Sequence, residues 1–188
     1  MKILVVGDSI SMGYTPTVAL ELADVAEVEH NPGNGGDSRN VLANIASWLA
    51  DAGADTVCLN CGLHDIKREK ETLHYQVPLD EYRANLLGVL DKIRAADCHP
   101  VWVTTTPVIE ERHQAVKEFD RYNVDVVEYN AMARAIVDDA EIAVIDLHQA
   151  ALDLGLETAL GEDGVHFTDE AYQALGKVVA AGLREHML

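Results

Sequence analysis

Three residues of this chain have types and spacings that could do chemistry together. Ser9 stands in Gly7-Asp8-Ser9, directly behind the apolar run Ile3-Leu4-Val5-Val6, and Asp163-Gly164-Val165-His166 sets a carboxylate and an imidazole three residues apart near the C-terminus. A hydroxyl becomes a nucleophile when an imidazole takes its proton. The imidazole does this best when a carboxylate orients it and stabilises its charged form. Ser9, His166 and Asp163 are therefore the parts needed to attack a carbonyl carbon, and they point to ester hydrolysis through a serine. His64 offers a second imidazole, with Asp65 beside it, but adjacent residues do not easily form a carboxylate–imidazole hydrogen bond, so Asp163-x-x-His166 is the better pair.

Such parts work only if the fold gathers them. Five short apolar, β-branched runs, at 2–6, 26–30, 56–60, 101–105 and 142–146, alternate with segments of helical spacing. Most are continuous rather than alternating, as expected of parallel strands covered on both faces. Between them, Val41, Ile45, Trp48 and Leu49 form an apolar helical stripe with Ser38 as its cap. Tyr82, Leu86, Leu90 and Ile93 form another after Pro78, and Val127, Ala131, Ala135 and Ile136 a third. Thr168 is a good N-cap for the last helix, with Asp169 and Glu170 suited to the positive end of its dipole. The alternation predicts a three-layer α/β/α sandwich on a five-stranded parallel sheet. In such sheets ligands bind beyond the carboxyl ends of the strands. Ser9 follows the first strand, Asn34-Gly35-Gly36-Asp37 the second, Gly62-Leu63-His64-Asp65 the third, and Asp163 and His166 lie beyond the fifth. The long charged segment 106–122 is expected to wall or cover the site, with His113 placed near substrate.

Composition narrows the partners. The 188 residues, 48% apolar and 24% charged, suit one globular domain spanning 1–188. No apolar stretch approaches the ~20 residues of a membrane helix, and too few apolar residues follow Lys2 for a signal peptide, so the cytoplasm is the expected location. A formal charge of −18 repels nucleic-acid phosphates and anionic membranes. Cys58-Leu59-Asn60-Cys61 spells CxxC, but it falls on a strand rather than a helix N-terminus and has no second pair, so the cysteines are read as structural. His30, His74, His99, His113 and His148 show no H-x-x-x-H spacing, and neither a metal nor an organic cofactor is expected.

With these residues in view, the chain resembles the GDSL, or SGNH, hydrolase family from Lys2 to the final helix. The resemblance implies a flavodoxin-like SGNH hydrolase fold, with Ser9 as nucleophile and Asp163 and His166 completing a triad. It also implies an oxyanion hole that includes the Ser9 N–H and a glycine N–H, best matched by Gly36. The family's third block reads G-x-N-D, its asparagine being a further donor; this chain has Gly62-Leu63-His64-Asp65. A neutral imidazole offers one N–H, and only in the right tautomer, so His64 is expected to donate to the oxyanion from one nitrogen. The expected substrate is a small-molecule ester with a small or medium acyl group, such as an acetylated carbohydrate. A thioesterase or lysophospholipase would use the same site, and a non-catalytic binding module would keep the fold without turnover. A receiver-type signalling domain is the weakest fit, because the first and third strands end in Gly-Asp-Ser and Asn-Cys-Gly rather than in acidic residues.

Overall fold

The computed structural model describes residues 1–186. Along the chain run β1 (Lys2–Val6), α1 (Ser9–Glu21), β2 (Glu27–His30), α2 (Ser38–Ala52), β3 (Thr56–Leu59), β4 (Arg68–Glu69) and α3 (Leu79–Ala95). They are followed by β5 (His99–Val103), α4 (Glu110–Val116), β6 (Phe119–Asp120), α5 (Asn123–Asp139), β7 (Ala143–Ile145), α6 (Leu147–Asp153), α7 (Leu156–Ala159) and α8 (Asp169–His186). The five longer strands form one parallel sheet in the order β2-β1-β3-β5-β7. Helices α1 and α8 pack together on one face, and α2, α3 and α5 form the other layer. The chain order turns back at β1, so the crevice between the ends of β1 and β3 is where such a sheet binds ligands.

Continuous burial explains the central strands. Ile3, Leu4, Val5 and Val6 are each at most 2% exposed, as are Val57, Cys58 and Leu59, because helices cover both faces. Edge strand β2 alternates instead. The observed strands lie within two residues of the expected ends, the fourth running two residues earlier than 101–105. Cys58, Cys61 and Cys98 are buried free thiols; burial pushes Cys58 up to about 12 and Cys98 up to about 11, so both stay protonated near neutrality.

Three expectations need correcting. The α2 cap is Asp37, whose side chain accepts from the Asn40 N–H at 3.0 Å. Ser38 is the first helical residue, fully buried, with its Oγ accepting from Asn85 at 3.0 Å. The stripe on α5 is rotated: Val127 is 56% exposed, and Ala131 and Ala135 also face solvent. The inward face carries Asp125, Val126, Tyr129, Ala133, Ile136 and Val137. Polar Asp125 can occupy it because Arg68 donates to its carboxylate, and the Tyr129 hydroxyl donates to Val77 O at 2.7 Å. Finally, segment 106–122 is not one loop. It holds α4 and β6, and β6 pairs antiparallel with β4 through Arg68–Asp120 and Glu69–Phe119. No helix among the described residues is long and apolar enough to cross a membrane.

Candidate active site

Ser9 is presented by the start of α1. The Asp8 side chain caps that helix, its Oδ1 accepting from the Ile10 N–H at 2.9 Å. First-turn N–H groups have no partner within their own helix, and the Ser9 N–H bonds to no other described group. Asp163 organises the opposite wall. Its Oδ1 accepts from the Val165 and His166 N–H groups at 3.0 Å each, while Oδ2 lies 2.6 Å from His166 Nδ1. The far nitrogen, Nε2, is 2.9 Å from Ser9 Oγ. The carboxylate accepts the Nδ1 proton, which leaves Nε2 able to accept the serine's. Burial raises the Asp163 carboxyl, but the hydrogen bonds from His166 and Val165 outweigh it and hold the group below the usual carboxylate range.

Gly164 lets this turn form. It has φ +66°, and a Cβ there would sit 2.4 Å from Ile109 O. The Ile109 N–H also donates to Gly164 O at 2.8 Å, seating the turn against the start of α4. Gly164→Ala is therefore expected to cost about 1–3 kcal/mol of stability. By moving His166 it should also lower kcat, since a misplacement of about 1 Å can cost ~10²-fold. Thermal melts and ester kinetics on the purified variant check both; an unchanged melting temperature would contradict the strain argument.

The second wall carries His64, in the turn after β3. Lys67 Nζ lies 3.0 Å from His64 Nδ1. An ammonium only donates, so Nδ1 must accept and the ring proton resides on Nε2. Burial lowers His64 to about 4, with Asp8 opposing and Lys67 and Arg121 adding, so the ring is neutral at pH 7. Asp8 Oδ2 is 4.0 Å from Nε2, too far for a hydrogen bond, and the N–H stays unclaimed. Asp65 does not serve this ring. Its carboxylate accepts the Ser38 N–H at 3.0 and 3.2 Å, and burial raises it to about 7.

Ser9, His64 and His166 thus face one cavity of about 230 Å³. Gly36 stands apart: it has φ +64°, and its N–H donates to Asn34 Oδ1 at 2.8 Å, an acceptor that must swing away before this N–H can meet a ligand. His113 is fully enclosed and does not reach the opening; its ring stands edge-on to Phe119 at 5.4 Å. Lys117, Phe119 and Arg121 line the opening from the segment 106–122 expected to wall it, but neither they nor Lys67 was singled out from the sequence. Lys117 Nζ lies 3.3 Å from Asp163 Oδ2. Their signal was slight: a few basic residues in a chain with 14 Lys and Arg against 32 Asp and Glu. A larger depression of about 360 Å³ beside His74 and Tyr75 holds neither Ser9 nor His166. No group of three His, Cys, Asp or Glu able to hold a metal occurs among the described residues.

A parallel sheet of this order, with Gly-Asp-Ser leaving the first strand and Asp-x-x-His ahead of the last helix, belongs to a recognised class of hydrolases. The model of the GDSL-like Lipase/Acylhydrolase family matches residues 5–174, and the chain belongs to that family of carboxylic ester hydrolases. Solved structures share its fold. The lipase/acylhydrolase from Enterococcus faecalis is 21% identical with a TM-score of 0.82, over 98% of this chain and 95% of that one. The acetyl xylan esterase AlAXEase is 20% identical with a TM-score of 0.78, over 96% and 98%. TesA is 19% identical with a TM-score of 0.74, over 98% and 99%. No curated protein matches the chain significantly in sequence.

Proposed function

We propose that this chain, as one domain, hydrolyses a small acyl ester through an acyl-enzyme on Ser9. The contact that carries the reading is the relay from Ser9 Oγ to His166 Nε2 at 2.9 Å and from Nδ1 to Asp163 at 2.6 Å. In this scheme Ser9 Oγ bonds to the carbonyl carbon as His166 takes its proton. The resulting oxyanion is met by the Ser9 N–H and the His64 Nε2–H, with the Gly36 N–H joining once Asn34 releases it. Collapse breaks the C–O bond, and His166 passes its proton to the departing alcohol. Water, deprotonated by His166, then attacks the acyl-enzyme; collapse breaks the bond to Ser9 Oγ, His166 returns the proton to that oxygen, and the acid is freed. Asp163 stabilises the imidazolium at each stage.

The size of the opening supports a short acyl group. About 230 Å³ falls below the ~300–1,000 Å³ of drug-sized sites, which suits an acetyl or similar ester, acetylated carbohydrates among them, better than a lysophospholipid. A fluorophosphonate is expected to label the protein stoichiometrically, with the adduct on the Ser9 peptide by mass spectrometry. Absence of labelling under conditions where a control serine hydrolase reacts fully would favour the non-catalytic binding module.

A further inference from the structure

A buried guanidinium without a counter-charge is costly unless something arrives to pair with it. Arg121 is in that position beside the reacting groups. It is 4% exposed, directly follows β6, and lines the cavity that holds Ser9 and His166. Its Nε donates to Leu63 O at 2.6 Å. The two terminal nitrogens bond to no described group, yet neither is fully enclosed. The other cations at this opening are committed, Lys67 to His64 Nδ1 and Lys117 to Asp163. Arg121 forms no ion pair among the described residues, and no carboxylate lines the cavity.

Its orientation is set in advance. The guanidinium lies 5.1 Å from the centre of the Phe119 ring, which Lys67 Nζ also approaches at 4.8 Å. Ring contact and the bond to Leu63 O together fix a planar fork whose geometry matches a carboxylate. Burial lowers Arg121 to about 10, with the more distant Asp8 and Asp163 opposing, so it stays charged at pH 7. A cationic opening on a chain of net charge −18 is a local reversal of sign that would draw an anion to one place.

We propose that the substrate is an ester carrying a carboxylate near the scissile bond, an O-acylated hydroxy acid such as an acidic sugar, and that the free N–H groups of Arg121 clamp that carboxylate. The proposal rests on Ser9 being the nucleophile of this cavity.

Matched ester pairs test it. In both pairs the charge is in the alcohol: 3-acetoxybenzoate against its methyl ester, and 4-acetoxybenzoate against its methyl ester. After normalising to hydroxide-catalysed rates, kcat/KM is expected to favour the anion in at least one pair by about 10–10²-fold. That preference should shrink between about 0.05 and 0.5 M salt and vanish in Arg121→Gln. If p-nitrophenyl acetate is turned over but the neutral member wins in both pairs, the anion clamp is overturned and the esterase reading stands. If the wild-type protein turns over no ester, the underlying reading of Ser9 falls instead. Should Arg121→Gln fail to fold, competitive inhibition of wild-type p-nitrophenyl acetate hydrolysis decides. Benzoate is expected to bind about tenfold more tightly than benzamide, and equal inhibition constants overturn the clamp.

Discussion

Ser9→Ala is expected to lower kcat/KM for p-nitrophenyl acetate by at least about 10⁴-fold while the melting temperature moves by no more than about 2 °C. The rate falls because no other hydroxyl stands at His166 Nε2; Ser9 Oγ occupies that place at 2.9 Å. Stability is spared because Ser9 is only half-buried and its Oγ makes no other hydrogen bond, while the Asp8 cap that holds the turn is untouched. His166→Ala should be about as damaging, and the double variant little worse than either single one, because parts acting on one proton fail together. Steady-state kinetics with calorimetry of the three variants test this. A Ser9→Ala rate within tenfold of wild type would remove the nucleophile assignment.

The second large effect concerns His64. His64→Ala is expected to lower kcat by about 10²–10³-fold, the usual loss for one oxyanion donor, whereas His64→Asn should retain most of the rate because a carboxamide always presents an N–H. Lys67 then matters through the tautomer it imposes from 3.0 Å. Glutamate at position 67 would accept a proton from Nδ1, turning Nε2 into a lone pair aimed at the developing anion. Lys67→Glu should therefore cost about 10²-fold beside His64 but far less beside the His64→Asn substitution, which also measures the plain effect of the added negative charge. Lys67→Arg keeps a donor and should keep most of the rate. Equal losses from Lys67→Glu in both backgrounds would leave His64 outside the reaction.

Much of this architecture was legible because it is written locally. The stripes on α2 and α3 read correctly, since Val41, Ile45, Leu86 and Ile93 are apolar residues with fully buried, apolar tasks. The central strands read correctly for the same reason. The face of α5 did not, because its inward positions include Asp125 and Tyr129, whose burial depends on partners at Arg68 and Val77 far away in sequence. The β4–β6 pairing was invisible: two-residue strands carry no period. At the candidate site, Ser9, Asp163 and His166, which lie in hydrogen-bond contact, announced themselves by motif. The proton position on His64 did not, although Lys67 is only three residues away, because the turn that brings them together has no signature of its own. Arg121 lies in the segment 106–122 expected to wall the site, but nothing in the sequence set it apart from the other charges there.

The short ribbon of β4 and β6 has a further consequence. Lys67 immediately precedes one of its strands and Arg121 immediately follows the other, so both ride on a single brace pinned to α5 by Arg68 and Asp125. Ser9 hangs from α1, and His166 from the turn ahead of α8, outside that brace. On the proposed reading, selectivity at Arg121 is therefore separable from the proton transfer between Ser9 and His166. On that reading, changing the Arg121 end of the brace would exchange which esters are admitted, whereas changing the Lys67 end would also disturb the proton on His64.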